Sequence, residues 1–363
     1  MSTPAPWTDD LAEPLRSAVR AGRWRRIEEA REGGWLLLSD DAPADVDWHH
    51  APAGGGEPVP LDPLADARLP ELQGSVVEAL RRGERLELLA WRVGSRAVLR
   101  VEGAAGARIV KVYHKDRSLR MRWRSLAGSA DGRWRAPDVL GWDRERLRLE
   151  IELCPGVSLH RRWLAGEGRA EDGARVAELL RWLAAAPIPA GFPAHGVEDE
   201  VRILEERLPA FERTLAEPPA AAARLVEKVV AALRALPAAT PLWCHRDFHD
   251  KQVLLERERG ALIDLDLAAA GHPALDVGNL LAHVRLRALK GAPLPWHPLA
   301  RAIAGEARRD RGLDGALGAW TASTLVRLAL IYSRRLRRPG LIAALLASAE
   351  AALAEGGEWR GIV

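Results

Sequence analysis

The stretch WCHRDFHDKQVLLERERGALIDLD, residues 243–266, places histidines, a lysine and several aspartates between apolar runs. Its apolar beginning predicts a buried strand, and VLLE and ALIDLD predict a β-hairpin joined by the polar turn RERG. Such a hairpin returns Asp264 to the side of Gln252, and Asp247 lies on the loop that leads into the hairpin. We therefore expect the side chains of Asp247, Gln252 and Asp264 to converge.

These three side chains suit phosphoryl transfer. That reaction needs a carboxylate that orients the attacking hydroxyl and accepts its proton, and it needs hard oxygen ligands that hold Mg²⁺ on the phosphates of a nucleotide. A carboxylate and an amide oxygen are such ligands, and Mg²⁺ usually takes only one or two protein carboxylates.

The motif HRDFHDKQ, followed by IDLD and then by Asp276, resembles the aminoglycoside phosphotransferase and choline kinase-like family. The pattern of that family is H-G-D-L-H-x-x-N, then I-D-x-[DE], then D-[LIV]-[AG]. The resemblance extends over residues 85–290. The combination of the loop with IDLD is specific, whereas H-x-D alone is weak. The resemblance implies a protein-kinase-like fold.

Position by position, the resemblance implies roles for six polar residues. Asp247 would be the catalytic base, and Gln252 and Asp264 would bind the metal. Asp266 would be a supporting acid. His245 would brace the loop, and Asp276 would anchor the loop through backbone hydrogen bonds.

Two positions depart from the family pattern. Gln252 replaces Asn and puts the amide oxygen on a longer stem, and Arg246 replaces Gly.

The same residues also have other interpretations. His245, Asp247 and His249 are compatible with a zinc or iron site of a metal-dependent hydrolase. His245 alone fits an ordinary structural role in the loop. Asp266 fits a surface or capping acid, and Asp276 fits the N-cap of the helix that continues VGNLLAHV.

Lys111 is the candidate for contact with the nucleotide phosphates. It interrupts the β-prone run RIVKVYH, where a lysine is unusual unless its ammonium group reaches a partner or solvent. The alternative is an edge-strand lysine that faces water. In the resemblance, this position is the strand lysine that contacts the α- and β-phosphates. The glutamate that pairs with it in the family is absent from the following helix, so Asp116, an acid from elsewhere or no acid takes its place.

Two further segments are predicted to contact the nucleotide. In the turn VGSR, Gly94 and Ser95 offer backbone N–H groups to phosphate oxygens. By family analogy, the strand LRLEIEL leads into the connection between lobes, where adenine would bond to backbone groups near Glu152 and Cys154. The acceptor would bind among the C-terminal helices. There the basic run at 327–338 argues against an aminoglycoside, unless that run is only a solvated face.

The order of elements predicts an α+β, two-lobed protein-kinase-like fold with a small β-rich N-lobe and a larger helical C-lobe. We divide the chain into an N-terminal extension at 1–70, a nucleotide-binding N-lobe at 71–155 and a C-lobe at 156–363 that holds the catalytic loop and the acceptor site. The extension is predicted to be helical over 8–31, with WLLLS (35–39) as a candidate short strand, and loop over 40–70. Other helices are predicted at 71–82, 117–128, 158–186, 197–216, 219–236, 274–290, 297–309, 314–335 and 340–355.

Composition narrows the classes of protein. The net charge of the 363 residues is only +3, and acidic and basic residues alternate, which is typical of a solvated surface. Cys154 and Cys244 are too few for a disulfide framework and favour a reducing compartment. The first residues lack the apolar core of a signal peptide, and no apolar stretch is long enough to span a membrane. We expect a cytoplasmic protein without nucleic-acid or membrane partners.

The predicted function is therefore a magnesium-dependent kinase that transfers the γ-phosphate of ATP or GTP to a hydroxyl of a small-molecule acceptor. A catalytically silent nucleotide-binding pseudokinase is the main alternative, favoured by the missing helix glutamate and by Gln252 in place of Asn. A metal-dependent hydrolase is a second alternative. Protein-kinase activity is a third, and the lack of an activation segment argues against it.

Overall fold

A computed structural model describes residues 24–354, except 32, 40–45, 54–56, 119, 170, 216–218, 294–298, 306–312, 314–315 and 334–339. Strands predominate in its N-terminal part and helices in its C-terminal part, which confirms the predicted α+β architecture. None of the described helices combines the length and the apolar character that crossing a membrane requires.

The described part of the N-terminal extension begins with a β-sheet, of which the strand at 35–39 was predicted. The other strands replace the predicted helix at 24–29 and the predicted loop at 48–51 and 59–60. The sheet is antiparallel and contains β1 (Trp24–Glu29), β2 (Trp35–Ser39), β3 (Trp48–Ala51) and β4 (Val59–Pro60). The helical prediction was wrong over 24–29 because the pairing of WRRIEE with WLLLS buries Ile27 and Leu37 completely. Such packing outweighs the high helix propensity of Glu and Arg. The predicted helix over 8–23 lies outside the described residues.

A second antiparallel sheet forms the N-lobe and follows helix α1 (Pro70–Arg81). In spatial order its strands are β5 (Arg85–Arg92), β6 (Arg96–Gly103), β7 (Gly106–Tyr113), β10 (Arg148–Glu152) and β9 (Val139–Asp143), and β8 (Trp134–Arg135) joins a different sheet. Val110 and Val112 of β7 pack in a core with Trp48 and Leu72 of the extension and α1. Because side chains alternate along a strand, Lys111 points away from that core.

The helix predicted over 117–128 is only a 3-10 helix, Arg120–Ser125. The segment DRSLRMRWRSLAGSA is short and rich in serine, and isolated helices of this length are marginal unless one face packs. Met121 and Trp123 are buried and fix the segment in this tighter form.

The C-lobe is built from helices packed around one central helix, α7 (Leu317–Tyr332), whose residues are almost all buried. Its helices are α2 (Leu159–Leu164), α3 (Glu171–Ala185), α4 (Val197–Thr214), α5 (Ala220–Arg234), α6 (Leu275–Leu289), α7 (Leu317–Tyr332) and α8 (Leu341–Ala354), and residues 299–305 are also helical. The single helical run predicted over 158–186 is divided into α2 and α3 by a turn in which Gly166 has a φ of +75°. The predicted helical residues at 306–309, 314–315 and 334–335 lie outside the described residues.

The predicted hairpin forms inside this lobe. The hairpin consists of β14 (Val253–Glu256) and β15 (Arg259–Leu262). The other short strands of this lobe are β11 (Val157–Ser158), β12 (Ala194–His195), β13 (Leu242–Cys244) and β16 (Ala269–Gly271). β14 and β15 pair with Val253 opposite Leu262, and β15 also pairs with β8. A Cβ on Gly260 would lie 2.3 Å from the ring of Trp134, so this pairing requires glycine.

Candidate active site

The loop HRDFHDKQ, residues 245–252, follows β13 and is held at its first two residues by Asp276. The buried carboxylate of Asp276 accepts the N–H groups of His245 at 2.6 Å and of Arg246 at 2.8 Å. The ring of His245 accepts the N–H of Asp247 at Nδ1, at 3.3 Å, so Nε2 carries the proton and donates to the carbonyl of Ile263 at 2.8 Å. The loop is therefore tied both to α6 and to the end of the hairpin.

Arg246 has a left-handed backbone, with a φ of +70°. This conformation costs a residue with a Cβ about 1 kcal/mol, and glycine adopts it freely. Asp276 holds the N–H of Arg246, and the carbonyl accepts a hydrogen bond from Asn279 Nδ2 at 2.7 Å. These contacts on both sides stabilise the strained backbone. The positive φ explains why the family pattern has a glycine at this position.

Asp247 is the accessible carboxylate of the loop. Its side chain is 46% exposed, and its Oδ2 lies 3.8 Å from Nε2 of His249. Asp250, three residues later, is completely buried. Of these two acids, Asp247 is the one that a substrate can reach.

Gln252 and Asp264 meet where the hairpin closes on the loop. The backbone carbonyl of Gln252 accepts the N–H of Ile263 at 2.9 Å, and Asp264 directly follows Ile263. The side chain of Gln252 is buried, with its amide nitrogen 3.4 Å from Nε2 of His249. Asp264 also has a left-handed backbone, with a φ of +59°, a conformation that aspartate tolerates better than most residues.

Lys111 reaches the two carboxylates at the end of the hairpin. Its Nζ donates to Oδ1 of Asp264 at 2.7 Å and to Oδ1 of Asp266 at 2.9 Å. The lysine is buried at the centre of β7, so the interpretation of Lys111 as an edge-strand lysine facing water was wrong. Its acidic partners come from the C-lobe and not from the segment after β7, where Asp116 pairs with Arg144 instead.

Two residues that the sequence analysis missed complete this cluster. The hydroxyl of Tyr113 donates to Oδ2 of Asp266 at 3.0 Å. The guanidinium of Arg96 lies 3.3 Å from Oδ2 of Asp266 and 3.8 Å from Oδ1 of Asp264. Tyr113 was detectable, because it lies two residues after Lys111 and therefore on the same face of the strand. Arg96 had no signal beyond its place in the VGSR turn.

Opposite charges determine the protonation of the cluster. Burial opposes the ionisation of Asp264, but Lys111 and Arg96 outweigh it and hold the pKa of Asp264 below its ordinary value. Burial likewise opposes the charge on Lys111, but Asp266 and Asp264 raise its pKa above the ordinary value. Burial raises the pKa of Tyr113. The cluster therefore holds charged Asp264, charged Lys111 and a neutral phenol at neutral pH.

Asp250 forms a separate, fully buried centre. Arg287 of α6 binds both of its oxygens, at 2.8 and 3.0 Å, and Nδ1 of His160 lies 2.7 Å from Oδ2. Burial opposes the charge on Asp250, but contacts with His160, His249 and Arg287 hold its pKa well below the ordinary value. This centre ties the loop to α2 and α6.

The zinc or iron site composed of His245, Asp247 and His249 is not formed. Both ring nitrogens of His245 have backbone partners, as described above. Within the described part of the chain, the group of side chains close enough to share an ion is instead His249, Asp250 and His283. An ion there would have to displace Arg287 from the carboxylate of Asp250, so the geometry does not favour a metal-dependent hydrolase.

Gly94 and Ser95 lie at the turn between β5 and β6, and both N–H groups have protein acceptors. Oδ2 of Asp66 accepts the N–H of Gly94 at 2.7 Å and the indole N–H of Trp91 at 2.9 Å. The carbonyl of Arg92 accepts the N–H of Ser95 at 2.9 Å. A phosphate at Gly94 would therefore have to replace the carboxylate of Asp66, a contact from the extension that the sequence did not reveal.

Glu152 and Cys154 lie where β10 leaves the N-lobe. The carboxylate of Glu152 binds the guanidinium of Arg135, and its backbone N–H donates to the carbonyl of Asp138 at 2.9 Å. Cys154 is buried, and burial raises the pKa of its thiol to about 12. The thiol is therefore inert at neutral pH, which leaves backbone groups as the means by which this segment would contact a base.

The site thus brings together an exposed carboxylate, a buried amide, two acids and two cations from both lobes. Oxygen donors of this kind suit a hard cation, and the two cationic side chains suit phosphate oxygens. An arrangement with an accessible base beside such groups is able to carry out phosphoryl transfer.

Comparison with known proteins identifies relatives of this arrangement. The sequence profile described as the phosphotransferase enzyme family matches residues 85–294, more than half of the chain. A search of curated proteins finds no significant match.

Solved structures share the fold at low sequence identity. A choline/ethanolamine kinase family protein from Mesorhizobium loti is 17% identical with a TM-score of 0.52, over 75% of this chain and 91% of that chain. A thermostable mutant of aminoglycoside phosphotransferase APH(4)-Ia, in a ternary complex with AMP-PNP and hygromycin B, is 16% identical with a TM-score of 0.53, over 81% and 99%. An amicoumacin kinase in complex with AMP-PNP, Ca²⁺ and Ami is 13% identical with a TM-score of 0.52, over 84% and 98%. These likenesses confirm the protein-kinase-like fold.

Proposed function

The chain belongs to the phosphotransferase enzyme family, and we propose that it transfers the γ-phosphate of ATP or GTP to a hydroxyl of a small-molecule acceptor with the help of Mg²⁺. The observation that carries this proposal is the contact of Lys111 with Asp264 and Asp266, because it joins the candidate phosphate-binding strand to the candidate metal-binding hairpin. Complexes of similar structures with AMP-PNP and with hygromycin B or Ami support a nucleotide and a small acceptor as the two substrates.

Asp247 is the proposed catalytic base. In the transfer, the acceptor oxygen forms a bond to the γ-phosphorus, the bond between that phosphorus and the leaving diphosphate breaks, and the hydroxyl proton passes to the carboxylate of Asp247. The exposure of this side chain and its position on a loop braced by His245 and Asp276 support the assignment. A positioned general base typically contributes about 10²–10⁴-fold to the rate.

Gln252 and Asp264 are the proposed metal ligands, with Asp266 as a supporting acid. Their amide and carboxylate oxygens match the ligands that Mg²⁺ prefers. Lys111 and Arg96 both contact Oδ1 of Asp264, so a cation at Oδ2 would not compete for the same atom. When bound, Mg²⁺ would neutralise charge on the nucleotide phosphates.

Lys111 is the proposed contact of the α- and β-phosphates, and its raised pKa keeps it charged for that purpose. Gly94 and Ser95 would contact phosphate only if the Asp66 contact opened, and the backbone near Glu152 and Cys154 would bind the base. In this proposal, residues 71–155 bind the nucleotide and residues 156–363 supply the base, the metal ligands and the acceptor site.

The proposal is tested by phosphate transfer from labelled ATP and GTP to a panel of sugars, sugar phosphates, hydroxy acids, amino alcohols and aminoglycosides, with and without Mg²⁺. We expect transfer to at least one acceptor only with Mg²⁺. Transfer that does not need a divalent cation would contradict the metal assignment.

A silent nucleotide-binding protein is the second candidate, because Lys111 and Arg96 already neutralise the two acids that Mg²⁺ would use. Calorimetric titration with AMP-PNP separates the two candidates. Nucleotide binding that is equal with Mg²⁺ and with EDTA, together with no transfer to any acceptor, would favour the silent protein.

A further inference from the structure

A cavity of about 280 Å³ opens beside the loop that carries the proposed catalytic base. One side is formed by β12 and the first turns of α4, and the other by Leu267 and Ala268, which follow the candidate metal-binding acids. Arg246 lines the cavity, and Asp247 is its immediate neighbour in the chain. The cavity therefore lies at the catalytic loop, one residue before the proposed base.

The charged groups that line the cavity give it a positive balance. Arg202 and Arg246 are cationic, and Asp199 is the one acid among the lining residues that the structure describes. Asp199 pairs with one of them, because its Oδ1 binds Arg202 and its Oδ2 accepts the N–H of Gly196 at 2.9 Å, so the net positive charge of the lining equals that of Arg246. The N-terminal end of α4, which carries a partial positive charge, lies at the same wall.

The second acid near this wall points away from the cavity. Glu200 is buried; its Oε1 accepts the hydroxyl of Ser323 at 2.8 Å and lies 3.7 Å from Arg327, and its Oε2 lies 3.2 Å from the ring of His195. Because Arg327 balances this charge, Glu200 does not cancel the net positive charge of the cavity lining.

We propose that this cavity binds the acceptor and selects a small hydroxyl compound that carries a carboxylate or a phosphate group. This inference rests on the proposed function. Guanidinium groups bind both kinds of oxyanion, so the chemistry that they share is what the cavity recognises. The volume lies just below the range of about 300–1,000 Å³ for drug-sized ligands. Size and charge both argue against a polycationic antibiotic as the acceptor.

Binding in the presence of AMP-PNP and Mg²⁺, which fill the nucleotide site, tests the charge selection directly. The probes are glycerol 3-phosphate and glycerate, each paired with its neutral counterpart, glycerol and glyceramide. We expect the anions to bind and the neutral compounds to bind at least about tenfold more weakly, since a hydrogen bond to a charged group is worth that much. Arg202→Gln should weaken anion binding about tenfold.

Arg207→Gln is the matched control, because Arg207 is an exposed arginine of the same helix that does not line the cavity. Equal loss of anion binding in both variants, or no preference for the anions in the wild type, would overturn the assignment. Phosphate transfer to neutral or cationic acceptors alone would also overturn it while leaving the proposed kinase function intact. Anion binding that depends on Arg202, without transfer to any acceptor, would support the cavity and contradict the kinase function.

Discussion

Two acidic centres flank the same hairpin in the chain, with Asp250 before β14 and Asp264 after β15, and they differ in how their carboxylates are satisfied. Asp250 is fully buried and is bound through both oxygens by Arg287, with His160 as a further partner. Asp264 remains 28% exposed, and Lys111 and Arg96 contact only one of its oxygens. Both carboxylates are charged and paired, so pairing alone does not distinguish a structural acid from a functional one.

The two centres differ in whether the cation bound to the carboxylate can be exchanged for another cation. A saturated, buried pair holds elements together and has no capacity for a ligand, whereas a partly exposed acid is able to exchange a protein cation for another cation. We infer that the Asp250 centre is structural and that the centre at Asp264 and Asp266 is functional. The following variants test this distinction.

The largest effect is expected from Arg287→Met. This change leaves the buried carboxylate of Asp250 without its bidentate partner, and breaking a buried pair in this way costs about 3–5 kcal/mol. Chemical denaturation measures the loss in free energy of unfolding. Arg285→Met is the control on the same helix, because Arg285 donates to the hydroxyl of Ser348, and its loss should cost about 1 kcal/mol. Equal effects of the two variants would contradict the structural role.

Another buried carboxylate, that of Glu200, extends the comparison to pH. Contacts with Arg327, His195 and Ser323 outweigh burial and lower the pKa of Glu200 to about 2, below its ordinary value of 4.5. Between those values the unfolded chain binds more protons, so the stabilisation is complete above pH 4.5 and is lost as the pH falls toward 2. The contribution is about 3 kcal/mol at about 1.4 kcal/mol per pH unit. Glu200→Gln should flatten this part of the stability curve, and an unchanged slope would contradict the account.

Lys111→Met should destabilise the ligand-free protein by about 2 kcal/mol, less than Arg287→Met, because Arg96 and Tyr113 still contact the remaining acids. Mg²⁺ should then raise the melting temperature of this variant more than that of the wild type, since a cation that binds the folded state stabilises it. The shift in melting temperature that Mg²⁺ produces should be the same in Arg287→Met as in the wild type. A rescue of both variants would remove the distinction between the centres.

The smallest effect is expected from Arg96→Ala. The side chain of Arg96 is 38% exposed, so the loss in stability should stay below about 1 kcal/mol. Because the positive charge of Arg96 repels a second cation near the same acids, its removal should tighten Mg²⁺ binding several-fold, as measured by titration calorimetry. Weaker Mg²⁺ binding would indicate that Arg96 supports the metal site.

The hairpin could be predicted from sequence because its signals are local. VLLE, RERG and ALIDLD predicted two strands and a turn, although β15 begins at Arg259 within RERG and ends at Leu262. The helices α4 and α5 follow equally strong periodic patterns. The partner of Lys111 could not be predicted in the same way. Asp264 lies 153 residues further along the chain, and only the closure of the two lobes brings them together.

Most of the N-terminal sheet escaped prediction for a related reason. WRRIEE is compatible with a helix, and only its pairing with WLLLS selects the strand. The contact between Asp66 and Gly94 could not be predicted, because Asp66 lies in the extension, outside the residues that the family resemblance covers. Sequence patterns therefore predicted elements better than the contacts between them.

The most direct test of the central claim is phosphate transfer by Asp247→Asn beside the wild type, with AMP-PNP affinity measured on both. The side chain of Asp247 is half exposed, so the variant should fold and bind nucleotide like the wild type. We expect the rate of transfer to fall at least about 100-fold. Transfer at the wild-type rate would show that Asp247 is not the base and would contradict the account.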